Sequence, residues 1–309
     1  MNEQTRSEQA STVSLVLGSG GARGLAHIGA IRALEEAGYR IESIAGSSMG
    51  AVIGGMHAAG KLDEYADWVC GLEQSDVLRL VDWTLSGGGL IRGERIIRRL
   101  RTMVGDVCIE DLPVDFTAVA VDIEQGREIW LTRGPLFDAI RGSIAIPGLF
   151  TPHLYRGRLL VDGGILNPVP VAPTLRSMTD LTVVVNVNGV IPLRHRADAP
   201  TGPPARPDAN GDDEGMMERV RRFFYDLIDR EEAEDDRQPG LVAMLMKSLE
   251  TMESVITRQH LAVFRPDVVV EVSKDACMIH EFHRARELIE LGHARTIEYF
   301  NRLYNDADE

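Results

Sequence analysis

Apolar residues in this chain gather in short runs that stop at glycine, and between them they recur every three or four positions. The run at 13–17 is valine and leucine but for Ser14 and ends at Gly18, as a strand buried on both faces would. Leu25, Ile28, Ile31 and Leu34 then fall at helical spacing, which predicts a helix over 25–37 with Gly38 closing its C-terminus. A second strand is expected at 41–45, followed by a Gly/Ala-rich helix over 49–59. Strand, helix, strand, helix is the order of a parallel sheet with helices on its faces.

Further along, runs at 116–121 and 128–131 flank Glu124-Gln125-Gly126, which fits a hairpin turn. Pro135 is placed to open a helix that runs to residue 146, where Pro147-Gly148 breaks it. Strands are predicted at 158–161, 181–187 and 268–272, and helices at 216–230, 240–263 and 280–304. Residues 1–12 read as a polar tail. Residues 197–215 are rich in Pro, Gly and Asp and lack large apolar groups, the composition of a mobile insertion. We expect residues 13–175 to hold the core of one α/β fold and 176–309 to complete it. Leu241, Met244, Leu245, Leu249, Met252 and Ile256 form an apolar stripe, expected to lie in a core or against a second copy, although its methionines also suit an acyl groove.

Composition narrows the function. The chain has 309 residues, 44% of them hydrophobic, and a formal charge of −14. A nucleic-acid partner is not expected, since phosphate binding needs a basic footprint that this field opposes. The three cysteines, Cys70, Cys108 and Cys277, are too scattered for a disulfide framework or a structural zinc site. The first residues lack a basic-then-apolar leader, and no apolar run reaches the roughly 20 residues of a membrane span. The reading is a cytoplasmic protein. Against the acidic trend, Arg92, Arg95, Arg98, Arg99 and Arg101 make either a solvated helix face or one suited to anionic headgroups in a peripheral membrane contact. The glycine-hinged segment 83–91 before them reads as a lid, a membrane-touching loop or a plain surface loop.

Three constellations carry candidate chemistry, each at the end of a predicted strand. Gly46-Ser47-Ser48-Met49-Gly50 sits between a strand and a helix. Glycines two positions either side of Ser48 permit a sharp turn that lifts its hydroxyl to the positive end of the helix, although an ordinary tight turn has the same spelling. Gly18-Ser19-Gly20-Gly21-Ala22-Arg23-Gly24 reads either as a dinucleotide loop with Glu42 for a ribose, or as an oxyanion hole of exposed amides. Arg23 stands where the dinucleotide pattern needs glycine. The third is Asp162-Gly163-Gly164, which alone reads as a turn.

The blocks Leu17–Gly24, Ala26–Gly29, Gly46–Gly50, Arg141–Phe150 and Val161–Pro170 together resemble the bacterial patatin-like phospholipases, a group that includes the catalytic domains of neuropathy-target-esterase proteins. The resemblance spans roughly 13–175 with every block in family order. It implies a three-layer α/β/α fold with a mostly parallel central sheet, and a Ser–Asp dyad needing neither metal nor organic cofactor. Ser48 matches the nucleophile and Asp162 its general base. Gly20 and Gly21 match the oxyanion amides, and Gly18, Ser19, Arg23, Gly24, Gly46, Gly50, Gly163 and Gly164 match the supporting motif, with Arg23 expected to brace the loop. The implied substrate is a phospholipid or lysophospholipid. Two alternatives from other classes remain, a catalytically silent lipid-binding or regulatory protein of the same fold and a nucleotide-binding oxidoreductase using the first glycine loop. Within the same chemistry the rival is a Ser-His-Asp triad drawing on His195, His260, His280, His283 or His293, all of which follow Asp162.

Overall fold

The computed structural model describes residues 11–84, 88–192 and 241–307. The chain divides into two compact units, residues 1–192 with 253–309, and residues 193–252. Of the second, residues 241–252 are described and are helical. The predicted insertion at 197–215, the helix at 216–230 and all but the end of the N-terminal tail lie outside the described residues.

The first unit begins with strand β1 (Thr12–Leu17), helix α1 (Ala26–Glu36), strand β2 (Arg40–Ser47) and helices α2 (Met49–Ala58), α3 (Leu62–Cys70) and α4 (Gln74–Leu80). Next come β3 (Gly89–Ile91), α5 (Glu94–Val104), β4 (Asp115–Asp122), β5 (Arg127–Leu131), α6 (Leu136–Ser143), β6 (Gly148–Phe150), β7 (His153–Tyr155), β8 (Arg158–Asp162) and β9 (Leu181–Gly189). Helix α7 (Leu241–Phe264) enters it from the second unit, followed by β10 (Val268–Ser273) and α8 (Ala285–Ala307).

Strands β10, β9, β1, β2 and β4 run parallel in that order, while β5 and β8 run antiparallel to β4 and β7 antiparallel to β8. The two-residue period of β1 divides the core. Val13, Leu15 and Leu17 pack into the larger apolar layer with Ile28, Ile31 and Leu34 of α1, whereas Val16 packs with Val169, Val171 and Val184 and with Leu261 and Phe264 of α7. The result is helices on both faces of a mostly parallel sheet. Gly38 ends α1 at φ +82°, with Tyr39 N–H donating to Leu34 O and Gly38 N–H to Glu35 O, the paired bonds of a Schellman cap. Helices α1 and α8 pack at bare backbone: a Cβ on Gly29 would lie 1.9 Å from Ile289 O, and one on Gly292 1.9 Å from Ala26 O.

Strand β4 is where two other strands are brought end to end. Ala118 and Val119 pair with both β2 and β5, so those strands lie on opposite edges of β4. Ala120, Val121 and Asp122 pair with both β5 and β8. Strand β8 therefore shares the β2 edge. The two strands meet from opposite directions, with Ser47 beside Val119 and Asp162 beside Ala120.

Several expectations need correction. Pro135 caps α6 from outside instead of opening its first turn, and the helix stops at Ser143, before Pro147. The described part of the α7 stripe falls short of a core within this chain, with Met244, Leu245 and Met252 each about half exposed and Leu249 and Ile256 half-buried, so the contact with a second copy stands as the expectation. Glu42 lies near the amino end of β2, the opposite end of the parallel strands from Gly18–Gly24, and accepts from Arg40 instead. That separation removes the dinucleotide reading of the glycine loop, which needs its acidic residue on the ribose beside the loop.

Candidate functional site

Ser48 occupies the turn between β2 and α2 at φ 56° and ψ −122°, a strained left-sided conformation for a residue with a Cβ. Its neighbours explain how the turn closes. A Cβ on Gly46 would sit 2.3 Å from Gly50 O, and one on Gly50 would sit 2.0 Å from Leu17 O. Ser48 N–H donates to Ser143 Oγ at 2.9 Å, and that hydroxyl donates onward to Val119 O at 2.6 Å. The buried end of α6 thus holds the strained turn in place. The Ser48 hydroxyl donates to Asp162 Oδ2 at 2.6 Å, and both residues are buried.

Asp162 reaches Ser48 because β8 runs head-on into β2. The approach needs glycine next: a Cβ on Gly163 would lie 2.2 Å from Val119 O and 2.4 Å from Ser47 Oγ. The second carboxylate oxygen accepts from Gly164 N–H at 2.7 Å. Burial, with the negative charge of Glu253 adding to it, pushes the Asp162 carboxyl up to about 7, against the opposing hydrogen bonds from Ser48 and Gly164. A carboxylate with that affinity for a proton is a usable base near neutrality.

In the glycine loop, Gly18 N–H donates to Val185 O, Ser19 N–H to Pro168 O and Ala22 N–H to Ile279 O. Among the described residues none accepts from Gly20 or Gly21 N–H, and Gly21 has φ +56°. Arg23 is buried, with Nε donating to Gly20 O and a terminal nitrogen to Lys274 O, so it braces the loop from beneath. Gly24 packs on Met49, where a Cβ would fall 2.3 Å from Met49 Cγ. His27 is fully buried and bonds Gly18 O through Nε2 at 2.8 Å; burial lowers its pKa to about 4, which keeps it neutral at pH 7.

The structure also gathers residues that sequence reasoning passed over. Asn188 donates to Ser19 O at 2.9 Å, and Ser19 Oγ donates to Glu253 Oε2 at 3.0 Å. Ser143 lies within the block Arg141–Phe150, whose spelling gives it no role of its own. Asn188 and Glu253 carry no local signal at all, because strand β9 and helix α7 deliver them from far along the chain. Of the candidate triad histidines, His260 bonds Asn167, His293 bonds Glu36, and Ser48 bonds none of the described ones; His195 lies outside the described residues. The five arginines at 92–101 are all exposed. The described ends of segment 83–91 are pinned, with Trp83 bridging Ile91 and Thr84 N–H donating to Leu90 O. Among the described residues no cluster of three His, Cys, Asp or Glu side chains could hold a metal ion, and no helix is long and apolar enough to cross a membrane.

Comparison with known proteins gives this arrangement its relatives. Residues 15–175 match the family described as patatin-like phospholipase. An uncharacterized NTE family protein of Mycobacterium bovis is 39% identical, covering 99% of this chain and 96% of its own length. Lysophospholipase nte1 of Emericella nidulans is 31% identical over 58% of this chain, which corresponds to 12% of that much longer protein. Among solved structures, VipD from Legionella pneumophila is similar over 95% of this chain and 67% of its own, at 14% identity and a TM-score of 0.45.

Proposed function

The chain belongs to the patatin-like phospholipase family, and on that premise we propose that it is a serine acyl-ester hydrolase of phospholipids or lysophospholipids. The observation that carries this reading is the 2.6 Å hydrogen bond from a strained, buried serine to a buried aspartate. The relative named as a lysophospholipase supports the choice of substrate class.

Ser48 Oγ attacks the ester carbonyl carbon while its proton passes to Asp162 Oδ2. The carbonyl electrons move onto oxygen, and Gly20 and Gly21 N–H hold that oxyanion. Collapse of the tetrahedral intermediate expels the alcohol, which takes the proton back from Asp162 and leaves an acyl-Ser48. A water then attacks the acyl carbon as Asp162 accepts its proton, and the fatty acid departs with Ser48 restored. The exposed arginines at 92–101 meet anionic headgroups from the cytoplasmic side. Co-sedimentation with anionic vesicles should therefore fall steeply with added salt, and Arg95→Glu with Arg98→Glu should abolish it.

The deciding experiment labels the protein with a fluorophosphonate probe and follows hydrolysis of a lysophospholipid. Wild type should label, Ser48→Ala should not, and Asp162→Asn should lose most labelling and turnover. Near-normal turnover by Asp162→Asn would overturn the dyad, and an unlabelled, folded wild type would overturn the hydrolase.

A further inference from the structure

We propose that Glu253, on α7, is a positioning residue of this site: its carboxylate anchors the glycine loop through Ser19 and places a second negative charge behind Asp162. The inference rests on the hydrolase reading for its consequence and on geometry for its existence. Ser19 Oγ donates to Glu253 Oε2 at 3.0 Å, while the Ser19 carbonyl is held from the other side by Asn188 at 2.9 Å. Gly164 is where the two carboxylates come together. A Cβ built there would lie 2.9 Å from Glu253 Oε1, 3.0 Å from Asp162 Oδ1 and 3.0 Å from Ser19 Cβ, so the two carboxylate oxygens stand within about 6 Å of each other. Only a residue without a side chain fits between them.

Other titratable groups near Asp162 point elsewhere. Asp122, two residues along β4 from its partner Ala120, accepts from Gln125 N–H and faces Arg158. Arg141 of α6 donates to Arg92 O and to Thr151, and Arg23 donates to Gly20 O and Lys274 O. His27 of α1 is neutral and bonds Gly18 O. Among the described residues, the charge that bears on Asp162 is Glu253, and it bears in the direction of a stronger base. One side chain thus couples the amides that would meet the oxyanion to the carboxyl that would take the proton.

The test is carbon-13 carboxyl NMR of Asp162, assigned by its loss in Asp162→Asn, beside pH–rate profiles and fluorophosphonate labelling. Glu253→Gln should lower the Asp162 titration midpoint and carry the acid limb of kcat/KM to lower pH. The rate at pH 6 relative to pH 8 should then rise about 2.5-fold for a half-unit shift from a midpoint near 7. Glu253→Asp, which keeps the charge, should return the midpoint toward wild type. Ser19→Ala should lower kcat/KM and leave the midpoint in place. A wild-type midpoint in Glu253→Gln overturns the inference however much activity is lost, because a merely structural glutamate would lower the rate without moving the titration. A shifted midpoint in a protein that never labels supports the carboxylate pair and sinks the hydrolase reading, so the two failures are distinct.

Discussion

A buried aspartate that holds its proton up to about 7 works against folding in one pH range and for chemistry in the same range. The folded chain binds that proton more tightly than the unfolded chain, whose aspartates titrate near 3.9. The destabilisation is absent below about pH 4, grows as pH rises, and is complete above about 7, where it reaches on the order of a few kcal/mol. His27 has the opposite slope, since its lowered pKa costs stability as pH falls from its unfolded value toward 4. Comparing wild type with Asp162→Asn isolates the aspartate. The expected outcome is that Asp162→Asn gains thermal stability over wild type at pH 8 relative to pH 5, measured by circular dichroism melts, while it loses turnover. A difference that does not change between the two pH values would show that Asp162 titrates normally. On the proposed mechanism, kcat/KM of the wild type should rise with pH through an acid limb near 7, as Asp162 becomes a free base.

At the scale of elements, the site is a junction of two strand ends braced by one helix end. Ser143 at the end of α6 accepts from Ser48 N–H and donates to Val119 O, in a spot with no exposure. Ser143→Ala leaves the buried Ser48 N–H without its acceptor, which costs about 1–3 kcal/mol and relaxes the strained turn. Its fluorophosphonate labelling rate should fall by more than its melting temperature suggests; a variant that labels at the wild-type rate would deny the brace. Much of this was legible from residues alone. Glycines at 46 and 50 announced the sharp turn, and the run ending at Gly18 announced the loop, because both are local consequences of missing side chains. The end-to-end meeting of β2 and β8 was not legible. It depends on β8 running antiparallel to β4, a register set by pairing between segments some 40 residues apart, and strand periodicity carries no direction. For the same reason Glu253 stayed hidden: a glutamate on a helix has the spelling of a solvated one until its neighbours are known.

At the scale of the whole molecule, the stretch that matches the family ends at residue 175, yet beside Pro168 and His27 inside it, several of the groups that hold its loop in shape come from beyond that point. Gly18 is bonded by Val185, Ala22 by Ile279, Arg23 by Lys274 and Ser19 by both Asn188 and Glu253. Strand β9 pairs with β1 from Val13 to Leu17, and β10 extends the parallel half of the sheet. The two ends of the unit are joined where α1 and α8 touch at Gly29 and Gly292. An alanine at 292 would put its methyl 1.9 Å from the carbonyl of Ala26, so the helices must part along α1, the element that follows the glycine loop. Overpacking of this kind typically costs about 1–3 kcal/mol, and here the displaced atoms are backbone, which cannot turn aside as a side chain can. Gly292→Ala should therefore lower the melting temperature and slow labelling of Ser48 together, although residue 292 is remote from Ser48 and Asp162 in sequence. A chain shortened to residues 1–175 should fail to label at all. Native-rate labelling by either protein would mean that the matched stretch shapes its own loop, and that the later strands and helix are cover and not support.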